Sequence, residues 1–352
     1  MMTTWHGRRA TIRDVALAAG VSISTASNAL NGQGRTNAET RDRVKRIAEK
    51  IGFRPNALAR GLLSRRSHSI GMITNDTYGR LTLPMTAGVS EALVDHGVSV
   101  FLCATNNDPR LARLHLEALL DKQVDGIIFT ATRVDLAPQV DLSRLPIPVV
   151  YAFAEGPDTS VSFVPDDQQG ARLAVEHLLS LGHRRILHIT GPEDFAAVRR
   201  RAEAYRACVG GEGEVMFGPW GEDWGHEAVH RILTRPEPRP DAIFCGSDET
   251  ARGVIDALRD HGLAVPGDMA VVGFDNWHVV AAQTRPALTT IDMGLKELGR
   301  RAGLAMLDLT QGKPVESGIN YIACELVVRA SCGTDLACQS LMSSQGPQGQ
   351  NR

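Results

Sequence analysis

The chain has 352 residues, of which 43% are hydrophobic and 22% are charged. This composition is typical of an ordinary globular protein and excludes a collagen-like, fibrous or wholly disordered chain. The length is enough for two to three domains at roughly 100–200 residues each, with a sizeable hydrophobic core.

The N-terminal segment and the cysteines indicate the cellular compartment in which the protein works. The N-terminus lacks the 7–15-residue apolar core of a secretory signal, and no apolar run approaches the roughly 18 residues that span a bilayer. Six cysteines are scattered along the chain without a CxxC pair. We therefore expect no disulfide framework, no metal site and no cofactor, and a cytoplasmic protein with reduced thiols.

The charge is unevenly distributed. Residues 1–66 hold 13 Lys and Arg against 4 Asp and Glu, a net charge of +9, whereas the remainder carries −11. A small basic head on a larger acidic body suggests that the head binds a polyanion. The alternative is a basic surface that is merely solvated.

The head is predicted to form three short helices. Thr11 and Asp14 make a capping-box pattern before the first helix, which ends at Gly20. Ser22 can cap a second helix, and Asn37 can cap a third whose apolar residues recur at helical spacing. Two short helices joined by a glycine-containing turn are typical of a helix-turn-helix.

Beyond residue 69 the pattern changes to short apolar runs that alternate with longer amphipathic stretches. The predicted strands are 70–74, 98–104, 126–130, 149–151, 186–190, 242–245 and 270–274. The predicted helices are 84–96, 110–122, 169–181, 198–209, 225–234 and 249–261. This alternation over some 260 residues indicates parallel α/β sheets, and its length indicates two similar lobes.

These segments together resemble the LacI/GalR family of transcription regulators. The resemblance begins at TIRDVALAAGVSISTASNALNG, continues through SIGMI and LLSLGHRRILHITGP, and includes GDMAVVGFDN and RPALTTIDM. It covers roughly residues 11–332. It implies a helix-turn-helix headpiece, a hinge, and a core like that of periplasmic sugar-binding proteins, with two Rossmann-like lobes joined by three crossovers.

The resemblance and the pattern together suggest the domain boundaries. We expect a DNA-binding domain over 1–52, a hinge helix and linker over 53–68, and an effector-binding and dimerisation core over 69–333. Lobe 1 would span about 69–164 and 292–322, and lobe 2 about 165–291 and 323–333. Residues 334–352 are rich in Gln, Ser and Gly, which predicts a disordered tail.

The second helix is the expected reader of DNA. By resemblance, Ile23, Ser24 and Asn28 stand where the family reads bases, although arginine is usual at the position of Asn28. Asparagine pairs well with adenine, and an isoleucine can contact a thymine methyl group. Ser22 and Thr25 are expected to cap the helix and to contact phosphate.

The hinge is the second expected DNA contact. A short helix over 57–63 is marginal alone, and in the family it forms only when two copies pair on DNA. The resemblance implies that Leu62 enters a minor-groove step and kinks the duplex; the alternative is packing against the core. Asn56, Arg60 and Arg65 are expected to position the backbone, as is Arg66, and a solvated linker is the alternative.

A small effector is expected between the lobes. Ligands of open α/β sheets bind at the carboxyl ends of strands. By resemblance, Arg201 and Asp275 stand at effector-binding positions and together suit a sugar-like polyol. We expect Asp275 to be solvated in the empty cleft. The alternative is an ion pair between these two residues that serves only structure.

Five further residues are weaker effector-binding candidates. Phe153 stands where many family members have aspartate and would offer a stacking face. Ser247 would make a polar contact, and Trp224 would stack on a sugar unless it belongs to the core. Asp76 and Arg80 lie in the loop after the first strand of the core.

The predicted function is a cytoplasmic, homodimeric transcription regulator, most simply a repressor, whose affinity for a palindromic operator depends on a carbohydrate-like effector. The tail has no leucine heptad, which favours a dimer over a tetramer. A solute-binding protein of a sugar transporter would share the core, but it needs an export signal and no helix-turn-helix. A sugar-processing enzyme with a DNA-binding module is the third possibility, although GxxxxGK[ST] and GxSxG are both absent from the sequence.

Overall fold

The computed structural model describes residues 10–31, 36–53, 66–236 and 238–333. The chain divides into two compact units, Met1–His68 and Ser69–Arg352. Among the residues described, no helix is both long and apolar enough to cross a membrane. The five cysteines in these ranges are all free thiols.

The first unit contains the three predicted helices: α1 (Ile12–Ala19), α2 (Ile23–Asn31) and α3 (Ala38–Lys50). The capping box is present, since the backbone N–H of Thr11 donates to Asp14 Oδ2 at 2.7 Å and the Asp14 N–H donates to Thr11 Oγ1 at 3.4 Å. Gly20 ends α1 with φ 63°, a left-handed conformation that glycine adopts without strain. The small core of this unit consists of Val15, Ala16, Ala19, Ala26, Ala29, Val44 and Ala48.

The second unit alternates strands and helices, as predicted. Its strands are β1 (Ser69–Thr74), β2 (Ser99–Ala104), β3 (Gly126–Thr130), β4 (Val149–Ala152), β5 (Val161–Pro165), β6 (Ile186–Thr190), β7 (Val215–Phe217), β8 (Ala242–Cys245), β9 (Ala270–Asp275), β10 (Thr289–Asp292), β11 (Gly318–Ile322) and β12 (Glu325–Val327). Its α-helices are α4 (Thr82–Val94), α5 (Pro109–Asp121), α6 (Asp167–Ser180), α7 (Ala196–Val209), α8 (Glu222–Leu233), α9 (Asp248–Asp260), α10 (His278–Ala281) and α11 (Leu295–Thr310).

The strands form two six-stranded sheets, which define two lobes. Lobe 1 has the order β11-β5-β4-β3-β1-β2, and lobe 2 has the order β12-β10-β9-β8-β6-β7. All pairings are parallel except that of β10 with β12. The chain passes between the sheets after β5, after β10 and after β11, so the three expected crossovers are confirmed.

Glycines allow helices to pack closely in both lobes. A Cβ atom at Gly88 of α4 would collide with the Lys296 carbonyl of α11, and one at Gly299 of α11 would collide with the Met85 carbonyl. In lobe 2, Gly253 of α9 meets the backbone of α8 in the same way. Each lobe therefore has a pair of helices in backbone contact, a packing that no larger residue permits.

Candidate functional site

The exposed face of α2 presents the residues predicted to read bases. Ala26 and Ala29 are buried against the other two helices, which turns Ile23, Ser24 and Asn28 toward solvent. Ile23 is 47% exposed, so its side chain is accessible to a partner. An apolar side chain beside short polar ones on one exposed helix face suits base edges in a major groove.

Ser22 organises the first turn of α2. Its hydroxyl accepts a hydrogen bond from the Thr25 N–H at 3.0 Å and lies 2.8 Å from both Ser24 Oγ and Thr25 Oγ1. The predicted capping role of Ser22 is therefore confirmed. The three hydroxyls form one exposed cluster at the start of the helix, where backbone N–H groups and the helix dipole favour a phosphate.

The predicted hinge contacts Asn56, Arg60, Leu62 and Arg65 lie outside the described residues. The disordered tail predicted for 334–352 lies outside them as well. These expectations stay predictions.

The central feature of the second unit is an ion pair that joins the lobes. Arg80 follows β1 of lobe 1, and its Nη1 donates to Oδ2 of Asp275, the last residue of β9 in lobe 2, at 2.7 Å. The Arg80 guanidinium also lies 5.6 Å from the centre of the Trp277 ring. The Asp275 carboxylate raises the pKa of Arg80, so the arginine is firmly charged. The two residues meet because both follow parallel strands at the edges that face the cleft.

A cavity of about 920 Å³ opens beside this ion pair. Both lobes line it: Arg80, Leu81 and Pro84 come from lobe 1, and Asp275, Asn276 and Trp277 from lobe 2. Crossover residues 292–295 and 321–323 contribute further wall, and the rest is lined mainly by charged side chains: Glu91, Lys296, Glu297, Arg300, Arg301 and Glu325, with His278. The cavity has the size of a small-molecule site, and its lining combines charged groups of both signs with an amide and an indole ring.

The backbone at Asp275 is strained. Asp275 has φ 111° and Asn276 has φ 48°, and neither is glycine. Asn276 is held by its side chain, which donates to Asp292 Oδ2 at 2.8 Å and accepts from Arg329 Nη2 at 2.8 Å. Strained residues of this kind persist where the surroundings fix them, often at ligand sites.

A buried carboxyl group supports the strained turn. Asp248, at the start of α9, is fully buried and accepts a hydrogen bond from the Trp277 N–H at 2.6 Å and another from the Thr290 hydroxyl. Burial, with a smaller effect from the nearby Asp275 charge, raises the pKa of Asp248 well above its usual value. Asp248 thus positions the segment that carries Asp275 and Trp277.

Arg201 does not pair with Asp275, the partner considered as an alternative in the sequence. Its guanidinium donates to Asp167 Oδ1 at 2.7 Å and to the Gly246 carbonyl at 2.7 Å, and it lies 3.6 Å from the centre of the Phe274 ring. Burial raises the pKa of Asp167, although the Arg201 charge opposes this rise. A structural pair of Arg201 with Asp275 is therefore wrong: Arg201 pairs with Asp167, and Asp275 with Arg80.

Asp275 is not solvated, contrary to the expectation. Its side chain is 7% exposed because Arg80 covers it from the opposite lobe. Asp167 was not among the candidates; it lies directly beyond β5, a strand that the sequence pattern did not predict. Arg80 was a candidate, but its partner across the cleft was not foreseen.

Two further ion pairs join the lobes, apart from the Arg80–Asp275 pair. Arg133 of lobe 1 donates to Asp194 Oδ2 at 3.1 Å and lies 3.9 Å from the centre of the Phe195 ring. Glu155 of lobe 1 pairs with Arg200 of lobe 2 at 2.6 Å. Charged contacts thus join the lobes in addition to an apolar core cluster that contains residues of both lobes.

Four other candidates have structural roles in this conformation. Asp76 accepts hydrogen bonds from the N–H groups of Gly79, Leu81 and Thr82 at 2.9–3.0 Å and so caps α4.

The remaining three are buried. Ser247 caps α9, with its hydroxyl accepting from Thr250 N–H at 3.2 Å. Trp224 is 5% exposed in the core of lobe 2, and its Nε1 donates to the Thr190 carbonyl, which is the core-packing alternative. Phe153 is 6% exposed and belongs to the lobe core with φ 55°. Effector contact by these side chains stays a prediction.

The chain matches two described protein families. Residues 11–56 match bacterial regulatory proteins of the lacI family, and residues 175–332 match the periplasmic binding protein-like domain. It is 32% identical over 331 residues to the HTH-type transcriptional repressor CytR of Escherichia coli (strain K12), which covers 92% of this chain and 96% of that protein.

Two solved structures are similar over the same share of the chain. The lac repressor dimer bound to operator and the anti-inducer ONPF superposes with a TM-score of 0.76 at 25% identity, covering 92% of this chain and 99% of that chain. The complex of the transcriptional regulator CelR with cellobiose superposes with a TM-score of 0.65 at 28% identity, covering 92% and 100%.

Proposed function

Because the chain belongs to the LacI family of bacterial regulatory proteins, we propose that its interlobe cavity binds the effector that controls operator binding. The chain is a DNA-binding transcriptional repressor regulated by a small molecule, and it is not an enzyme. We place it in the cytoplasm as a homodimer on a palindromic operator. Ile23, Ser24 and Asn28 of each copy would read one half-site.

The observation that carries the proposal is the Arg80–Asp275 ion pair beside the 920 Å³ cavity. Asp275 is a hydrogen-bond acceptor whose present donor comes from the opposite lobe. An effector hydroxyl that donates to Asp275 would replace the Arg80 guanidinium and so exchange a contact between the lobes for a contact with the ligand. Effector binding then shifts the population of lobe arrangements, because the ligand prefers one of them.

The lining of the cavity supports a sugar-like effector. Asp275, Asp292 and Asn276 supply acceptors for hydroxyl groups, and Trp277 supplies an aromatic face for the apolar side of a pyranose or furanose ring. The CelR structure is of a regulator bound to a disaccharide. The part of the cavity around Asp275, Asn276 and Trp277 therefore fits a compound with several vicinal hydroxyls better than an apolar one.

The test is a calorimetric titration of the full chain with a panel of pentoses, hexoses and disaccharides. We expect one class to bind, and Asp275→Asn to weaken its affinity about a hundredfold, since two hydrogen bonds to a charged acceptor contribute about 3 kcal/mol or more. Asp194→Asn is the matched control: it also breaks an interlobe ion pair, but Asp194 does not line the cavity.

Equal affinity in wild type and Asp275→Asn would exclude Asp275 from the site. Equal losses in Asp275→Asn and Asp194→Asn would mean that lobe closure, and not contact with Asp275, governs binding. Failure of every sugar in the panel to bind would overturn the carbohydrate class of the effector.

A further inference from the structure

A second pocket, of about 350 Å³, lies on the surface of lobe 2 between α8 and α9, apart from the interlobe cavity. Three of the chain's eleven histidines line it together with three carboxylates. The lining residues are Asp223, His226, Glu227 and His230 of α8, and Ala257, Asp260 and His261 at the end of α9. Nothing in the proposed regulation of DNA binding uses these side chains.

The spacing of the histidines suits metal binding. His226 and His230 are four residues apart in α8, so their side chains lie one turn apart on the same face. The opposite face of α8 is buried through Trp224, Ala228 and Val229, which keeps both imidazoles in solvent. Two histidines at this spacing on one helix face are a known pair of zinc ligands.

The third histidine is brought to the pair by the close contact of the helices. Gly225 of α8 and Gly253 of α9 meet the backbone of the neighbouring helix, so the two helices run in contact. This contact places His261, directly after α9, beside His230 and His226 in one pocket. Asp223 and Asp260 add negative charge, which favours a cation.

These side chains are available to a ligand. Within the described residues, the side chains of His226, His230, His261, Asp223 and Asp260 make no hydrogen bond or ion pair, and all five residues are exposed. In the same part of the chain no three potential ligands already stand close enough to hold an ion. A bound ion would therefore have to draw these side chains together through changes of their rotamers, which no contact holds fixed.

We propose that His226, His230 and His261 form a binding site for a divalent transition-metal ion, such as Ni²⁺ or Zn²⁺. Neutral imidazole is a preferred ligand for these ions. Water or a neighbouring carboxylate would complete the coordination. The site lies outside the effector cavity, so its occupancy is a property separate from sugar binding.

The experiment is a calorimetric titration of the tag-free full chain with Ni²⁺, repeated with Zn²⁺. We compare wild type with His226→Gln, His230→Gln and His261→Gln, and use His96→Gln as the control because His96 is also exposed but lies in lobe 1. We expect one ion per chain and a loss of affinity of about tenfold or more in each of the three variants, since even indirect partners of a metal change affinity by 10–100-fold. His96→Gln should bind as wild type does.

The variants keep the protein's cysteines, so a change in affinity cannot come from thiols. Thermal midpoints measured in a chelator should agree among all variants, because the substituted side chains are exposed. Unchanged affinity in His226→Gln or His230→Gln would overturn the proposal, as would an equal loss in His96→Gln. Unchanged affinity in His261→Gln would likewise overturn the three-histidine site.

Discussion

At the scale of single residues, the stability of the core depends on how its buried charged side chains are paired. Arg201 is 4% exposed and Asp167 is 2% exposed, and each neutralises the other at 2.7 Å. Arg80 and Asp275 form a second pair that spans the lobes. Since removing one member of a buried pair leaves the other charge without compensation, the two pairs should respond very differently to substitution.

Asp167→Ala is expected to lower the free energy of unfolding by about 3–5 kcal/mol, because Arg201 remains buried without a counterion. Asp308→Ala is the control, since Asp308 pairs with Lys313 at the surface and such pairs contribute about 0–1 kcal/mol. Urea denaturation of both variants measures the difference. Similar stability in the two variants would mean that Arg201 reaches water or another acceptor once Asp167 is gone.

His188 should make the core sensitive to acid. It is fully buried, its Nδ1 lies 2.9 Å from the Phe244 carbonyl oxygen, and burial lowers its pKa to about 3. An unfolded histidine has a pKa of about 6.5. Between these values the unfolded chain holds one more proton, so this contribution is full above about pH 6.5 and is lost as pH falls, by about 1.4 kcal/mol per pH unit.

His188→Gln should therefore flatten the dependence of unfolding free energy on pH between 6.5 and 5 relative to wild type. His96→Gln changes an exposed histidine and should leave the slope as it is. Unfolding curves at several pH values give the slopes directly. An unchanged slope in His188→Gln would show that other groups take up the proton.

At the scale of elements, α2 carries the specificity for DNA in this account. Its inward side consists of the buried Ala26 and Ala29 with the partly buried Leu30, and its exposed side contains Ile23, Ser24 and Asn28. The three side chains on the exposed face are short or medium in length. A helix with such a face can lie in a major groove with these side chains against the base edges. The cluster of hydroxyls at its start would fix its position on the backbone.

Asn28→Ala should reduce affinity for the selected operator by about 1–3 kcal/mol and relax the preference at one base pair in each half-site. Selection from random duplexes followed by competition binding measures both effects, with Glu49→Gln on the exposed surface of α3 as the control. Equal losses on operator and random DNA would assign Asn28 to the backbone rather than to a base.

The close helix pairs should not tolerate even a methyl group. Gly253→Ala is expected to destabilise the protein by about 1–3 kcal/mol, because the new Cβ would collide with the backbone of α8 at Glu222. Gly267→Ala is a matched control, since a Cβ there meets only the Ala264 Cβ at 3.4 Å. Thermal unfolding compares the two. A neutral Gly253→Ala would show that the helices separate easily.

The elements that sequence patterns missed share physical causes. The strands β5, β7, β10, β11 and β12 are three to five residues long, and three of them, β7, β11 and β12, lie at sheet edges where partly or fully exposed residues interrupt the apolar run. The helix α11 carries Gly299 and Gly303, which weaken its helical pattern but are required by its contact with α4. The seven predicted strands and six predicted helices are all present, with ends shifted by up to three residues.

The site was predictable only in part, for a related reason. The position of Asp275 and Arg80 at strand ends follows from the alternation of strands and helices. Their pairing depends on how the two lobes close, which is a tertiary property without a local signal. Asp167 shows the same limit, because its partner Arg201 is 34 residues away in the sequence.

At the scale of the whole molecule, the part of the chain that binds DNA is basic and the part that binds the effector is acidic. The net +9 of residues 1–66 suits a DNA backbone, and the acidic remainder avoids non-specific binding to it. The lobes of the core are connected by three crossovers, by an apolar cluster with residues of both lobes and by ion pairs. A ligand with differential affinity for two lobe arrangements shifts the population between them, and through it can change DNA binding.

The most direct test is the operator affinity of the full chain with and without effector, measured by fluorescence anisotropy for wild type and Asp275→Asn. We predict that the effector changes wild-type operator affinity by at least about fivefold, the usual scale of such coupling. Asp275→Asn should still bind the operator specifically and should show no change at the same effector concentration. A full effector response in Asp275→Asn, or an unchanged operator affinity in effector-saturated wild type, would contradict the account.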